Sequence, residues 1–182
     1  FSLSENPSAE FGAKGKFSFI GPGVNNLTSS NNPLHNVILG GSYNSIFESS
    51  TGANNFGVSI LGGDSNNSFT NDKDRSFILG EKNNIKENAS GNIIGNNNLI
   101  YTNSKATLLG SFNQIGTNIS PTAASGFVVG NGNRIKANSN AFLFGTDNFL
   151  ESKAFGYAIG YQNKFATDLN NKGLKEGFIF GY

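Results

Sequence analysis

Asparagine recurs at a nearly constant interval along this 182-residue chain, and the spacing constrains the fold more than any other feature. Each of these asparagines lies three positions after a glycine or proline. All but one of them precede an aliphatic or aromatic residue by two positions; the exception precedes Ser68. The column consists of Asn25, Asn44, Asn66, Asn83, Asn98, Asn113, Asn133, Asn148 and Asn163. A unit repeated this often, with a ground period of 15 residues, predicts a stacked solenoid rather than a globular enzyme fold.

A short apolar run ending in glycine accompanies each asparagine. In the later repeats two apolar residues stand directly before the glycine and a small residue stands four positions before it. These glycines are Gly80, Gly95, Gly110, Gly130, Gly145, Gly160 and Gly181. Three earlier runs, ending at Gly21, Gly40 and Gly62, carry one extra residue before the asparagine count resumes. The runs are too short for helices and rich in β-branched and aromatic residues, so they predict strands.

The two motifs together predict two strands and two corners in each repeat. Glycine permits a positive φ at a sharp corner, and the Asn-x-apolar segment predicts a second short strand. The fold class that follows is all-β: a parallel β-roll of about nine 15-residue coils. Nine rungs at a strand spacing of about 4.8 Å give a height of about 43 Å.

The asparagine column predicts a structural ladder. Asparagine tolerates left-handed and turn conformations and forms hydrogen bonds with nearby backbone. Identical side chains stacked at the strand spacing also bond to one another. The alternative is a row of ligand-binding groups. We favour the ladder, because an asparagine that recurs this regularly is expected to stabilise the stacking of the rungs.

Each apolar pair has one residue for the interior and one for the outer surface, because successive strand side chains point to opposite faces. The outward residue is nevertheless apolar in every rung. A continuous apolar stripe requires cover, and we expect self-association about a rotation axis, most plausibly as a homotrimer. The substitution Leu143→Asp is expected to disrupt the trimer or the roll.

Composition argues against several classes of protein. Only 14% of residues are charged and the net charge is +1, so no basic surface for nucleic acid is expected. The chain has no cysteine, and no apolar run is long enough for a membrane-spanning helix. Its one histidine, His35, stands in a loop-like segment without a catalytic motif. We therefore predict that the chain is not an enzyme and carries no cofactor or metal; Asp72 and Asp74 indicate a solvated turn.

Five segments resemble the YadA-like head of trimeric autotransporter adhesins, which belong to bacterial type V secretion. They are FILGEKNNI (77–85), LLGSFNQI (108–115), VVGNGNRI (128–135), LFGTDNFL (143–150) and AIGYQNKF (158–165). The resemblance implies a left-handed parallel β-roll, homotrimeric along its length. It covers residues 17–182, within a single head domain of 1–182 whose first 16 residues form a lead-in. The family carries asparagine less often in the repeated column, where alanine is usual.

The resemblance also implies a location and a set of partners. Family heads stand on a coiled-coil stalk and an outer-membrane anchor, neither of which is expected within this sequence, so the bacterial cell surface is the implied location. The implied partners are host proteins: carcinoembryonic-antigen-related cell adhesion molecules, or matrix proteins such as collagen, fibronectin and laminin. The sequence does not choose among these.

Insertions between repeats are the expected binding segments, because repeat proteins place length variation on one face. They comprise residues 28–36, 47–57, 69–75, 116–125 and 166–176. Phe47, Phe56 and Phe69 lie in or beside them as candidate receptor anchors, with local packing as the alternative. Two further functions stay open: a β-solenoid enzyme, either an acyltransferase or a polysaccharide-processing protein, and an ice-binding solenoid.

Overall fold

The computed structural model describes residues 12–13, 19–29, 33–34, 36–48, 55–70, 75–117, 123–165 and 176–181. Within these residues the protein is all-β, without a helix, and its strands stack in parallel as a β-solenoid of about eight turns. The described part of the chain accordingly contains no helix long and apolar enough to cross a membrane. The all-β solenoid predicted from the asparagine spacing is confirmed.

The described residues form 24 strands, most of them short. The first twelve are β1 (Gly12–Ala13), β2 (Phe19–Ile20), β3 (Gly23–Val24), β4 (Leu27–Ser29), β5 (Pro33–Leu34), β6 (Val37–Ile38), β7 (Gly41–Ser42), β8 (Ser45–Glu48), β9 (Asn55–Phe56), β10 (Val58–Ile60), β11 (Asn67–Thr70) and β12 (Ser76–Glu81). The others are β13 (Asn84–Ile85), β14 (Ser90–Asn96), β15 (Leu99–Ile100), β16 (Lys105–Ser111), β17 (Gln114–Ile115), β18 (Ser125–Asn131), β19 (Arg134–Ile135), β20 (Asn140–Thr146), β21 (Phe149–Leu150), β22 (Phe155–Tyr161), β23 (Lys164–Phe165) and β24 (Glu176–Gly181).

Two ten-stranded parallel sheets form the body of the solenoid. The long-strand sheet runs β2-β6-β10-β12-β14-β16-β18-β20-β22-β24, and the short-strand sheet runs β1-β4-β8-β11-β13-β15-β17-β19-β21-β23. Each repeat from β10 onward contributes one strand to each sheet, as the two-strand repeat predicted. Two small sheets, β3-β7 and β5-β9, add pairs at the N-terminal end.

The register superposes equivalent residues of successive repeats. Ile93 of β14 pairs with Leu108 of β16, and Gly95 pairs with Gly110. Because the pairing never slips in the later rungs, each position of the repeat becomes a column parallel to the solenoid axis. Two such columns, one from each sheet, form the main part of the core, and smaller buried residues such as Val58, Ala106 and Ala141 complete it. The long-strand sheet provides Ile38, Ile60, Ile78, Ile93, Leu108, Val128, Leu143 and Ala158, and the short-strand sheet provides Ile46, Ile85, Ile100, Ile115, Ile135, Leu150 and Phe165.

A glycine column forms the corner after each long strand. At Gly95 the backbone has a φ of 137°, and an added Cβ would overlap the carbonyl oxygen of Gly110 on the next rung. In the early repeats the stacked residues are Gly23, Gly41 and Gly63. The extra residue of these repeats therefore precedes the stacked glycine. Gly21, Gly40 and Gly62 do not occupy the position of the stacked glycines in the later repeats.

The predicted number of coils is slightly too high. Nine asparagines stack in the structure, and nine stacked residues are separated by only eight steps along the axis. The solenoid has about eight turns.

Candidate functional site

The asparagine column forms a continuous hydrogen-bonded ladder. Nδ2 of Asn98 donates to Oδ1 of Asn83 at 3.0 Å and to the carbonyl oxygen of Gly110 at 2.7 Å. Oδ1 of Asn98 accepts from the backbone N–H of Asn113 at 3.0 Å and from its Nδ2 at 3.1 Å. The side chain thus uses two donors and two acceptor positions while it is 1% exposed. Each asparagine within the ladder ties its own rung to the rungs before and after it.

The first member of the ladder is Asn26, not Asn25. Oδ1 of Asn26 accepts from Nδ2 of Asn44 at 3.1 Å, and Asn26 lies three residues after the stacked Gly23. The prediction that Asn25 belongs to the column is wrong by one position. The interval of three residues starts at the stacked Gly23 and not one residue earlier. The other eight asparagines occupy the column as predicted, and their ladder bonds run from Asn44 to Asn163.

The ladder asparagines do not provide the left-handed residue of the corner. None of the nine has a positive φ; the residue directly before each of them does. That residue is Tyr43 in one repeat, Lys82 in another and Phe112 in a third, with φ between 53° and 57°. The asparagines therefore recur because of their side-chain hydrogen bonds and not because of the left-handed conformation that asparagine tolerates.

An outward apolar stripe crosses nine of the ten strands of the long-strand sheet, from β6 to β24; in the rung of β2 the equivalent residue is Gly21. It consists of the residue that follows each core residue: Leu39, Leu61, Leu79, Ile94, Leu109, Val129, Phe144, Ile159 and Phe180. Ile94 is 43% exposed, whereas its neighbour Ile93 is fully buried. The predicted division of each apolar pair between the interior and the outer surface is confirmed. Leu143 lies on the interior side, at 0% exposure, so Leu143→Asp acts on the roll itself.

An aromatic row lies beside the stripe, two residues closer to the start of each strand. Phe127 stacks on Phe142 with a centroid distance of 5.0 Å, and Phe142 lies 6.2 Å from Tyr157. Phe178 continues the row on the last described rung. The register predicts such a row, because these four residues all stand three positions before a stacked glycine. No binding role was predicted for this row from the sequence.

A groove of about 490 Å³ opens on the same sheet where the strands begin. Aromatic side chains line one part of it and Arg75 and Lys105 line another. The amides of Asn92 and Asn140 lie along it as well. Its full lining is Arg75, Ser90, Gly91, Asn92, Lys105, Ala106, Thr107, Ser125, Gly126, Phe127, Asn140, Ala141, Phe142, Phe155, Gly156 and Tyr157. None of these residues was predicted from the sequence as a binding residue.

The candidate receptor anchors have different positions. Phe47 and Phe69 stack on neighbouring rungs with a centroid distance of 4.9 Å, and Phe69 is 36% exposed. Phe56 lies in β9, which pairs with β5, and its side chain is outside the described part of the protein. The two phenylalanines on β8 and β11 thus share a contact, which agrees with local packing and still leaves Phe69 accessible.

Most of the insertions fall outside the described residues, and so do His35, Asp72 and Asp74. Within the described ranges, His, Cys, Asp and Glu side chains form no group of three that would suit a metal ion. Glu151 bridges Lys136 at 2.7 Å and Lys164 at 4.0 Å, and both ammonium groups lie over the ring of Phe149. This arrangement is an exposed surface network of the short-strand sheet.

Comparisons with protein-family models, with curated proteins and with solved structures find no match to this chain. The class of protein is therefore defined by its own geometry: a parallel β-solenoid with an internal asparagine ladder and an apolar outer stripe.

Proposed function

We propose that this chain is the head of a bacterial surface adhesin that binds host receptors or extracellular matrix as a homotrimer. The roll is left-handed in this proposal, and the protein is a binding protein rather than an enzyme. It is held at the outer membrane through a segment outside this sequence. The observation that carries the proposal is the outward apolar stripe.

The stripe supports self-association because its apolar residues recur at a fixed spacing. Every rung from Leu39 to Phe180 places one apolar residue on it, and four of these residues, Leu39, Leu79, Ile94 and Phe180, are 40% exposed or more. A partner that covers the stripe along its length needs apolar groups at the same spacing of about 4.8 Å. A second copy of this chain has that spacing, and three copies around one axis cover all three stripes at once.

Trimeric display also suits adhesion. Three identical weak contacts on one rigid body increase the apparent affinity by avidity without any new contact type. The candidate partners are carcinoembryonic-antigen-related cell adhesion molecules, collagen, fibronectin and laminin, in accord with the resemblance of the repeats to YadA-like heads.

Sedimentation analysis together with binding to these immobilised host proteins tests the proposal. We expect a trimer that binds at least one of them, and binding weakened when the insertion at 47–57 is shortened. A stable, soluble monomer would contradict the trimer. Undiminished binding after each insertion is shortened would contradict the insertions as the binding segments, and the absence of binding to any host protein would contradict the adhesin role.

A further inference from the structure

We propose that the groove on the long-strand sheet binds an acidic oligosaccharide. The proposal names a ligand class for the adhesin head and therefore deepens the proposed function. It depends on the chemistry of the groove lining, which combines an aromatic part, a cationic part and neutral polar groups on one surface.

The aromatic part offers flat faces to a sugar ring. Phe142, Phe155 and Tyr157 are 36%, 38% and 43% exposed. Tyr157 contacts Phe155 edge-on at 5.7 Å and lies 6.2 Å from Phe142. The C–H groups on one face of a pyranose pack against such rings, whose faces carry partial negative charge. Rings held by their neighbours also lose little entropy when a ligand binds.

The cationic part favours an anionic ligand. Arg75 and Lys105 occupy the same column on rungs two steps apart, with Ser90 between them. Their backbones are therefore separated by about 10 Å. Among the described residues that line the groove there is no carboxylate. The guanidinium and ammonium groups supply charge-assisted hydrogen bonds to carboxylate or sulfate groups.

Neutral polar groups and small residues complete the match. Asn92, Thr107 and Asn140 present amides and a hydroxyl to the groove, and these pair with sugar hydroxyls in either direction. The floor between the outer columns consists of Gly91, Ala106, Gly126, Ala141 and Gly156. Small floor residues leave room for a ligand that runs parallel to the solenoid axis.

A peptide is a poorer occupant than a sugar. Extended peptides gain affinity by adding a strand to a free sheet edge, and the strands beneath the groove have none. β14, β16, β18 and β20 are each paired on both sides. Recognition at this surface has to use side chains, and these are the aromatic, amide and cationic groups that suit an acidic sugar.

The groove lies beside the apolar stripe rather than on it. The column of Arg75 lies four positions from the column of Leu79, about 13 Å along a strand, whereas the aromatic row adjoins the stripe, with Phe142 4.8 Å from Phe144. The cationic part of the groove is therefore the part farthest from the stripe when the stripe is covered by other copies.

Calorimetric titration of the full chain with defined ligands tests the inference. The probes are a heparin octasaccharide, a hyaluronan octasaccharide, neutral maltooctaose and polyglutamate of similar charge. We expect at least one acidic sugar to bind, and the first two probes separate sulfate from carboxylate recognition. Equal binding of maltooctaose would overturn the acidic requirement, equal binding of polyglutamate would overturn the sugar requirement, and no binding of either acidic sugar would overturn the inference.

Matched variants locate the site. The double variant Arg75→Gln/Lys105→Gln is expected to weaken binding at least about tenfold and to reduce its salt dependence, because two charge-assisted contacts are lost. Lys82→Gln/Lys86→Gln removes equal charge outside the groove and is expected to change binding less than about twofold. Tyr157→Ala is expected to weaken binding about fivefold, whereas Tyr161→Ala, with a similarly exposed ring outside the groove, is not. Equal effects within either pair would overturn the assignment.

Sedimentation of the same samples separates this inference from the proposed function. A trimer without sugar binding contradicts the groove assignment alone. A monomer that binds acidic sugar through Arg75 and Lys105 supports the groove assignment while contradicting the trimer.

Discussion

Asn98 donates a hydrogen bond from Nδ2 to Oδ1 of Asn83, one rung earlier, at 3.0 Å. The backbone N–H of Asn98 donates to the same oxygen at 3.1 Å. Both residues are almost completely buried, where an unpaired amide is costly. The pair therefore fixes the vertical spacing and the register of the rungs, since a slip would leave several polar groups unpaired.

Asn98→Ala is expected to lower the free energy of unfolding by about 2–4 kcal/mol. The substitution removes the acceptor for two donors of Asn113 and the donor for the carbonyl oxygen of Gly110. Urea denaturation measures the loss. Asn92→Ala, an exposed asparagine of the same repeat, is the control and should cost less than about 0.5 kcal/mol. Equal losses for the two variants would contradict the ladder's role in stability.

Asn98→Asp is expected to be more harmful than alanine at neutral pH. The new carboxylate oxygen faces Oδ1 of Asn83 and the carbonyl oxygen of Gly110, both of which are acceptors. Protonation restores a donor, so the folded state should bind this proton more tightly than the unfolded chain, whose aspartate pKa is about 3.9. Stability should then fall as the pH rises through the higher, folded pKa. A variant whose stability relative to wild type does not change between pH 4 and pH 7 would contradict this account.

Ser68→Val is expected to stabilise the protein by about 0.5–1 kcal/mol. Ser68 is fully buried in a column otherwise dominated by aliphatic residues, and its Oγ has no hydrogen-bond partner among the described residues. Ser104 provides the contrast, because its equally buried Oγ accepts from the backbone N–H of Ala124 at 3.2 Å. Ser104→Ala should cost about 1 kcal/mol, whereas Ser68→Ala should be neutral. Thermal unfolding of the three variants measures these changes in stability. A loss of stability for both Ser68→Ala and Ser104→Ala would contradict the difference in hydrogen bonding between the two hydroxyls.

Gly95→Ala is expected to cost about 2–4 kcal/mol, because the added Cβ overlaps the carbonyl oxygen of Gly110 and strains a backbone with a φ of 137°. Ser111→Ala, at the neighbouring position of the corner, is the control and should be close to neutral. Chemical denaturation measures both. A small effect at Gly95 would mean that the rungs separate more easily than the stacked glycine column implies.

Ile93→Asp and Ile94→Asp separate the core from the stripe. Ile93 is fully buried, so its replacement by aspartate should cost more than about 4 kcal/mol and unfold the roll. Ile94 faces outward at 43% exposure, so its replacement should leave the β-rich circular dichroism spectrum intact. Under the proposed trimer it should also reduce the oligomer to monomers in sedimentation. Unchanged sedimentation of a folded trimer carrying Ile94→Asp would contradict the stripe as its interface.

The repeat was predictable because every rung satisfies the same local rules. The spacing of Asn83, Asn98 and Asn113 predicted the stack, and the adjacent pair Ile93 and Ile94 predicted that one side chain is buried and the other faces outward. The first rung was misplaced because Asn25 fits the Asn-x-apolar pattern through Leu27, whereas Asn26 is followed two positions later by Thr28. The hydrogen bond from Asn44 to Asn26 and the pairing of Gly23 with Gly41 place Asn26 in the column.

The groove was not predictable in the same way. Arg75 and Tyr157 are 82 residues apart in the sequence and line one surface only because the parallel register superposes their rungs. Phe47 and Phe69 were identified individually as candidate anchors, but their mutual stacking depends on the pairing of β8 with β11. Long-range pairing of this kind has no signal in a local window of sequence.

The sequence alone determined the all-β solenoid, its period and the inward and outward faces of its long strands, because strand alternation and corner chemistry act over a few neighbouring residues. The tertiary structure decided which asparagine begins the ladder, which residue takes the left-handed corner, and which distant side chains share the groove. These features depend on the vertical register between rungs, which is fixed by buried hydrogen bonds across 15 to 22 residues of chain.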